Sequence, residues 1–275
     1  MYSQPSTLRD ALQFLEKFDP CVVAGGTDVY PSMKNGRQPQ TFLDVTRIDG
    51  FSDVLVSADG VRFGGAVTWS DVVKADLPPA FDALKQAAAE VGSVQIQNAG
   101  TIAGNICNAS PAADGVPPLL ALDATVELQS VARGVRALPL GSFIKDVRQT
   151  TIAKDELVTA VTVPAPNAGM TSAFEKLGSR RYLVISIAMT AANILLDKSG
   201  QIEEARIAVG SCSAVAQRLT ALEADLAGSD PRKVSIKAEH LAPLTPIDDV
   251  RGTGRYRLAA AEQQIRRAIL RAVGA

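Results

Sequence analysis

Two stretches carry residue types whose spacing could do chemistry. In "CVVAGGTDVYPSMKNG", residues 21–36, a short apolar run enters Gly25-Gly26 and a helix opens directly after. Glycine admits positive φ and lets a ligand approach backbone amides without a β-carbon in the way. Consecutive amides in such a turn form an anion-binding concavity, reinforced by the start of a helix, and Thr27 adds a hydroxyl. The alternative is a tight turn and nothing more. The motif is neither GxGxxG nor GK[ST], so the Rossmann and P-loop readings fall. Asp28 would repel an anion, so it either points away or holds the loop.

The second stretch, "GTIAGNICNASPAAD" at residues 100–114, is small and polar throughout. Thr101, Asn105, Asn108, Ser110 and Asp114 offer donors and acceptors at close intervals between Gly100, Gly104 and Pro111. Such a segment suits a loop wrapped against a large polar ligand. A carboxylate such as Asp114 can accept from ribose or ring N–H groups, whereas it repels phosphate.

The rest of the composition narrows the chemistry. Three scattered cysteines, Cys21, Cys107 and Cys212, make neither a disulfide framework nor a metal or cluster site. The single histidine, His240, reads as a surface helix residue, which leaves triad hydrolysis and histidine-rich metal chemistry without parts. Any redox chemistry here would come from a bound cofactor. With 28 basic against 29 acidic residues, nothing points to nucleic acid. No apolar run reaches the roughly 20 residues of a membrane span, and the opening "MYSQPSTLRDALQFLEKF" has helix spacing with internal charges. A cytoplasmic chain without membrane insertion is the expectation.

The elements that must position these stretches follow from pattern. Leu8, Ala11, Leu12, Leu15 and Phe18 mark a first helix capped by Ser6 or Thr7; "CVVA" and "TFLDV" read as short strands, and the helix after the glycines ends at Asn35-Gly36. After Gly50 come a hairpin through Asp59-Gly60, a helix capped by Thr68 or Ser70, and a proline-led helix in "PPAFDALKQAAAEV". Residues 93–114 show no steady period. A hairpin around Arg133-Gly134 and a strand "ELVTAVTVP" run to "PAPNAG", the best boundary in the chain. Strands with a turn at Lys198–Gly200 follow, then helical segments including "DPRKVSIKAEHLAPL" and a closing helix. Strands followed by helices give an α+β chain.

Taken together, "VVAGGTDV" and "TIAGNICNASPAAD", about 75 residues apart, with "SAFEKLGSRRYLVISIAM" beyond them, resemble the flavin-binding motifs of the FAD subunit of molybdenum hydroxylases, the xanthine dehydrogenase and carbon monoxide dehydrogenase family. The resemblance implies a vanillyl-alcohol-oxidase-like (PCMH-type) FAD-binding module plus a C-terminal antiparallel sheet with a helical bundle. Its parts would be an α/β sub-domain at 1–50, an α+β sub-domain at 51–166 and a C-terminal domain at 167–275. It places FAD against Val22, Val23, Ala24, Gly25, Gly26, Thr27, Asp28 and Val29, and against Thr101, Ile102, Ala103, Gly104 and Asn105, with Ser110 and Asp114 beyond them. Asp114 matches a ribose- or adenosine-side carboxylate. Val91 and Val158 match positions near the cofactor, and Lys176 matches a lysine on the flavin side. No catalytic residue and no metal ligand are implied in this chain. Partner subunits would carry molybdopterin and [2Fe–2S] clusters, in a heterotrimer that can double. Electrons would pass to NAD⁺ or another acceptor while the complex hydroxylates a purine or other N-heterocycle. The alternatives are a stand-alone NAD(P)H-dependent flavin reductase of related fold, for which no proton donor stands out, and an assembly protein that has lost its cofactor.

Overall fold

The computed structural model describes residues 1–33, 36, 38–181 and 183–275. Strand β1 (Tyr2–Ser3) leads to helix α1 (Leu8–Phe18), whose first turn is capped by Thr7: its hydroxyl accepts the Asp10 amide at 3.2 Å. Helix α1 buries Ala11, Leu12 and Leu15 beside Leu43 and Phe51. β2 (Cys21–Val23), α2 (Val29–Met33) and β3 (Phe42–Asp44) complete a parallel three-stranded sheet in the order β1-β3-β2. The helix end expected at Asn35 lies outside the described residues.

The second sheet is antiparallel, in the order β4-β5-β10-β6-β7. β4 (Val54–Ser57) and β5 (Gly60–Gly64) form the hairpin that Asp59-Gly60 predicts. Helices α3 (Trp69–Lys74), α4 (Asp82–Glu90), α5 (Val94–Ala99), α6 (Ile102–Asn108) and α7 (Val116–Ala121) precede β6 (Thr125–Ser130) and β7 (Gly134–Pro139). A one-turn helix α8 (Leu140–Phe143) and the small pair β8 (Ile144–Asp146) and β9 (Gln149–Thr150) lead to β10 (Leu157–Pro164). Residues 93–114 thus form two short helices where the sequence shows no period. Each is started by a capping hydroxyl, Ser93 on Ile96 and Thr101 on Gly104, and six or seven residues are too few to display an apolar stripe.

The third sheet, β11 (Thr171–Leu177), β12 (Ala188–Leu196), β13 (Ile202–Gly210) and β14 (Gln217–Arg218), is antiparallel throughout. Helix α10 (Gly254–Ala272) packs on β11 and β12, while α4 and α7 pack on the same sheet from the second unit. Both faces are covered, so β12 is buried along "AMTAANI" and does not alternate. Helix α9 (Thr220–Leu226) packs on β13. "DPRKVSIKAEHLAPL" is not a continuous helix; it forms 3₁₀ turns at Pro231–Lys233 and Ala238–Leu241. His240, read from the sequence as a surface residue, is buried. Its Nδ1 accepts the Lys237 amide at 3.2 Å, which puts the ring hydrogen on Nε2, 3.1 Å from Asp225. No helix among the described residues is long and apolar enough to cross a membrane.

The entry to β10 is fixed by charge. Arg136 grips buried Glu156 through Nε and Nη2 at 2.6 and 2.7 Å, and the Ala153 amide donates to the same carboxylate at 2.8 Å. Chiefly through the Arg136 hydrogen bonds, the Glu156 carboxyl is held down at about 2, from an ordinary 4.5. A carboxyl depressed in the folded state stabilises fully above its unfolded value and loses that contribution as pH falls toward the folded one. Glu156→Gln should therefore lower stability by about 2 kcal/mol at neutral pH, discounted for the half-exposed Arg136. Urea midpoints of the two proteins should converge as pH drops from 4.5 to about 2. A difference independent of pH would show that the pair contributes nothing through charge.

Candidate functional site

Strand β2 ends at the glycine pair, and α5 ends at Gly100, so the two stretches meet. A β-carbon built on Gly25 would stand 1.7 Å from the Ala99 carbonyl oxygen. One on Gly100 would stand 3.5 Å from Thr27 Oγ1. Gly26 takes φ +69°, the left-handed turn that glycine permits before α2. Among the described residues, nothing accepts from the amides of Gly25, Gly26 or Thr27. The Thr101 hydroxyl accepts the Gly104 amide at 2.9 Å and retains its own hydrogen for another partner.

These loops floor a cleft of about 790 Å³. Of the residues expected there, Val22, Ala24, Gly25, Gly26, Thr27, Asp28, Val29, Val91, Thr101, Gly104 and Asn105 line it. Asp28 sits on the rim, exposed, and its carboxylate bonds nothing among the described residues, so it does not hold the loop. Asn105 Oδ1 is buried with no donor among them.

Val23, Ile102, Ala103, Ser110, Asp114, Val158 and Lys176 do not line the cleft. Their side chains are engaged elsewhere in the fold. Val23 is buried at the end of β2, and Ile102 and Ala103 turn their side chains from α6 into the core. Val158 is buried in that same core, with its carbonyl against Gly65. Ser110 shapes a turn, its hydroxyl accepting the Ala112 amide at 3.3 Å. Asp114 and Lys176 bond each other: Lys176 Nζ donates to Asp114 Oδ2 at 2.7 Å and to the Glu90 carbonyl at 3.1 Å, and Ser186 donates to Asp114 Oδ1 at 2.6 Å. Burial pushes the Asp114 carboxyl up, against the pull of Lys176. This buried pair ties the third sheet to the second unit.

Other lining residues were not expected. Trp69, the chain's single tryptophan, backs the floor, its amide donating to the Gly100 carbonyl at 3.1 Å. Its position one residue after the Thr68 cap was the available signal. Ile96 and Cys107 sit within a helical turn or two of expected residues and also line the cleft, whereas Asn108, which lines it too, belongs to the polar set that the second stretch offered. Arg148 reaches it from the β8–β9 connection, with nothing in the sequence to indicate so.

The donor set fits a dinucleotide. Unpartnered amides and a hydroxyl suit a pyrophosphate, apolar Val91 and Ile96 suit a flat ring, and the volume falls in the range of cofactor clefts. Such a site would hold and orient FAD; among the described residues no nucleophile–base pair lines it.

The comparisons with known proteins agree with that chemistry. Residues 1–166 match the family model described as FAD binding domain in molybdopterin dehydrogenase, and residues 172–272 match the CO dehydrogenase flavoprotein C-terminal domain. The nicotinate dehydrogenase FAD-subunit of Eubacterium barkeri is 33% identical over 71% of this chain and 69% of its own length. The nicotine 6-hydroxylase medium subunit of Paenarthrobacter nicotinovorans is 30% identical, covering 98% of this chain and 96% of its own. Among solved structures, a carbon monoxide dehydrogenase from Hydrogenophaga pseudoflava aligns with a TM-score of 0.88 at 27% identity, over 99% of this chain and 96% of that one. The chain belongs to the FAD-binding medium subunits of the xanthine dehydrogenase and carbon monoxide dehydrogenase type of molybdenum hydroxylase.

Proposed function

We propose that this subunit takes electrons from the [2Fe–2S] clusters of a small partner subunit and passes them to NAD⁺ or another acceptor, while a molybdopterin-bearing large subunit hydroxylates a purine or other N-heterocycle. The observation that carries the reading is the contact between the two glycine stretches, which aligns free amides along one floor. Bound FAD would supply the conversion between one-electron arrival and two-electron delivery. This chain's part is to hold it. The amides of Gly25, Gly26 and Thr27, with the Thr101 hydroxyl, would bind the pyrophosphate, and Val91 and Ile96 would cover the ring. Asp114 and Lys176 would keep the third sheet seated beside the cleft, acting on the cofactor through that seating. Sub-domain divisions near residues 50 and 166 are part of this reading, supported by the gaps between sheets that end at Asp44, Pro164 and Arg218. We place the complex in the cytoplasm. Three cysteines, two of them on the cleft wall, leave cluster ligation to a partner, since a [2Fe–2S] centre takes four ligands.

An N-heterocyclic substrate is supported by the nicotinate and nicotine enzymes among the relatives. The complex should be isolated through a tag on this chain, its chromophore released and weighed, and turnover compared on xanthine, nicotinate, quinoline and glyceraldehyde, with NAD⁺, a quinone or dioxygen as acceptor. The expected result is one FAD per chain, a co-purifying iron–sulfur chain and preference for a heterocycle. Faster turnover of glyceraldehyde would overturn the substrate class. A stable monomer with full turnover would overturn the subunit assignment.

A further inference from the structure

Arg148 is an unusual residue to find where it stands. It occupies the connection between β8 and β9 with φ +59°, a conformation that asparagine and glycine adopt readily and arginine rarely does. Its amide donates to the Ala109 carbonyl at 2.8 Å, and Ala109, the residue closing α6, is itself left-handed at φ +46°. The hairpin tip is thereby pinned on the end of α6. Arg148 Nη1 then donates to the Asn108 side-chain oxygen and, at 3.4 Å, to the Asn108 carbonyl. Among the described residues no carboxylate pairs with this guanidinium, and Nε and Nη2 donate to nothing. Of the described residues lining the cleft, Arg148 is the one cation.

The geometry gives that cation a direction. Helix α6 forms one wall, with Thr101 at its start beside the glycine turn and Asn108 at its end, about 10 Å along the axis at 1.5 Å per residue. Arg148 is tethered at that far end by one nitrogen and keeps its remaining donors for the cleft. A guanidinium so presented is a two-pronged site for phosphate oxygens. We propose that Arg148 is a cofactor-binding residue that pairs with the anionic pyrophosphate of the ADP half of FAD, from the side of the cleft opposite the glycine amides. This rests on the cleft being the FAD site. The competing reading is a cation stabilising the C-terminal end of α6 without touching any ligand.

The two readings separate on fragments of the cofactor. The flavin-free full chain would be titrated with FAD, ADP and riboflavin, in the wild type and in Arg148→Gln and Arg148→Lys, with thermal unfolding of each ligand-free protein in parallel. A charge-assisted pair with phosphate predicts that Arg148→Gln weakens FAD and ADP by about 10- to 100-fold and leaves riboflavin within about twofold. Arg148→Lys should retain part of the affinity for ADP, and the dependence of ADP binding on salt should flatten in the glutamine variant. Unchanged ADP affinity overturns the proposal. So does an equal loss of riboflavin with a lowered melting point, which is the signature of the helix-end role. If a variant fails to fold, the salt dependence of ADP binding in the wild type and the lysine variant decides: no dependence in either overturns the proposal. Wild-type chain that binds neither FAD nor ADP would instead remove the FAD reading beneath it.

Discussion

Gly25→Ala is expected to lower FAD affinity by about 100-fold, more than the same change at Gly26. The added methyl at Gly25 would meet the Ala99 carbonyl carbon at 2.2 Å as well as its oxygen at 1.7 Å. Both are backbone atoms, so no side chain can swing aside. Either the β2–α2 turn or the α5–α6 junction must retreat, and the amides of the two loops then no longer face one ligand. At Gly26 the left-handed φ makes alanine unfavourable by about 1–2 kcal/mol. The atoms met there belong to the Tyr30 ring, at 2.2 Å, and Tyr30 is an exposed side chain that can move. A loss of about tenfold is expected for Gly26→Ala. Fluorescence titration of the flavin-free variants would measure both. Full occupancy in Gly25→Ala would mean that contact between the loops does not build the site.

Lys176→Met should destabilise the fold by about 3–5 kcal/mol, because it leaves Asp114 buried with no counter-charge. The Asp114 carboxyl is already pushed up by burial, and loss of Lys176 removes the strongest influence holding it down. A carboxyl raised in the folded state contributes most below its unfolded value, and that contribution is lost as pH rises through the folded one. The deficit of Lys176→Met should accordingly grow from acidic to alkaline pH. Adding Asp114→Asn should recover a large part of it, since the pair is then removed as a unit. Denaturant midpoints over a pH series report all three effects. If instead Lys176→Met unfolds like the wild type yet loses FAD, the lysine contacts the cofactor directly, as its match to the family's motif implies.

The parts of this protein legible from residues alone are those that a few neighbours encode. Gly25-Gly26 announced an amide-lined turn, because glycine permits that backbone, whereas "TIAGN", read as part of a loop, starts helix α6. Asp59-Gly60 and Arg133-Gly134 marked hairpins for the same local reason. Which way a side chain faces is a different kind of fact. Within Thr101–Asn105, the helix turns Ile102 and Ala103 into the core while Gly104 and Asn105 meet the cleft, a division set by what packs behind α6. Asp114 and Lys176 lie 62 residues apart and Arg148 and Asn108 lie 40 apart. No local propensity records such pairings; they exist because α4 and α7 stack on the third sheet and the β8–β9 tip lands on α6. His240 was misread for a related reason, since its polar neighbours suggested solvent and only the fold of the 3₁₀ turn buries it beside Asp225. The sequence by itself therefore determined the turns, the strands and the family to which they belong. The tertiary structure alone decided which of the expected residues share a cleft, because that depends on contacts between segments far apart in the chain.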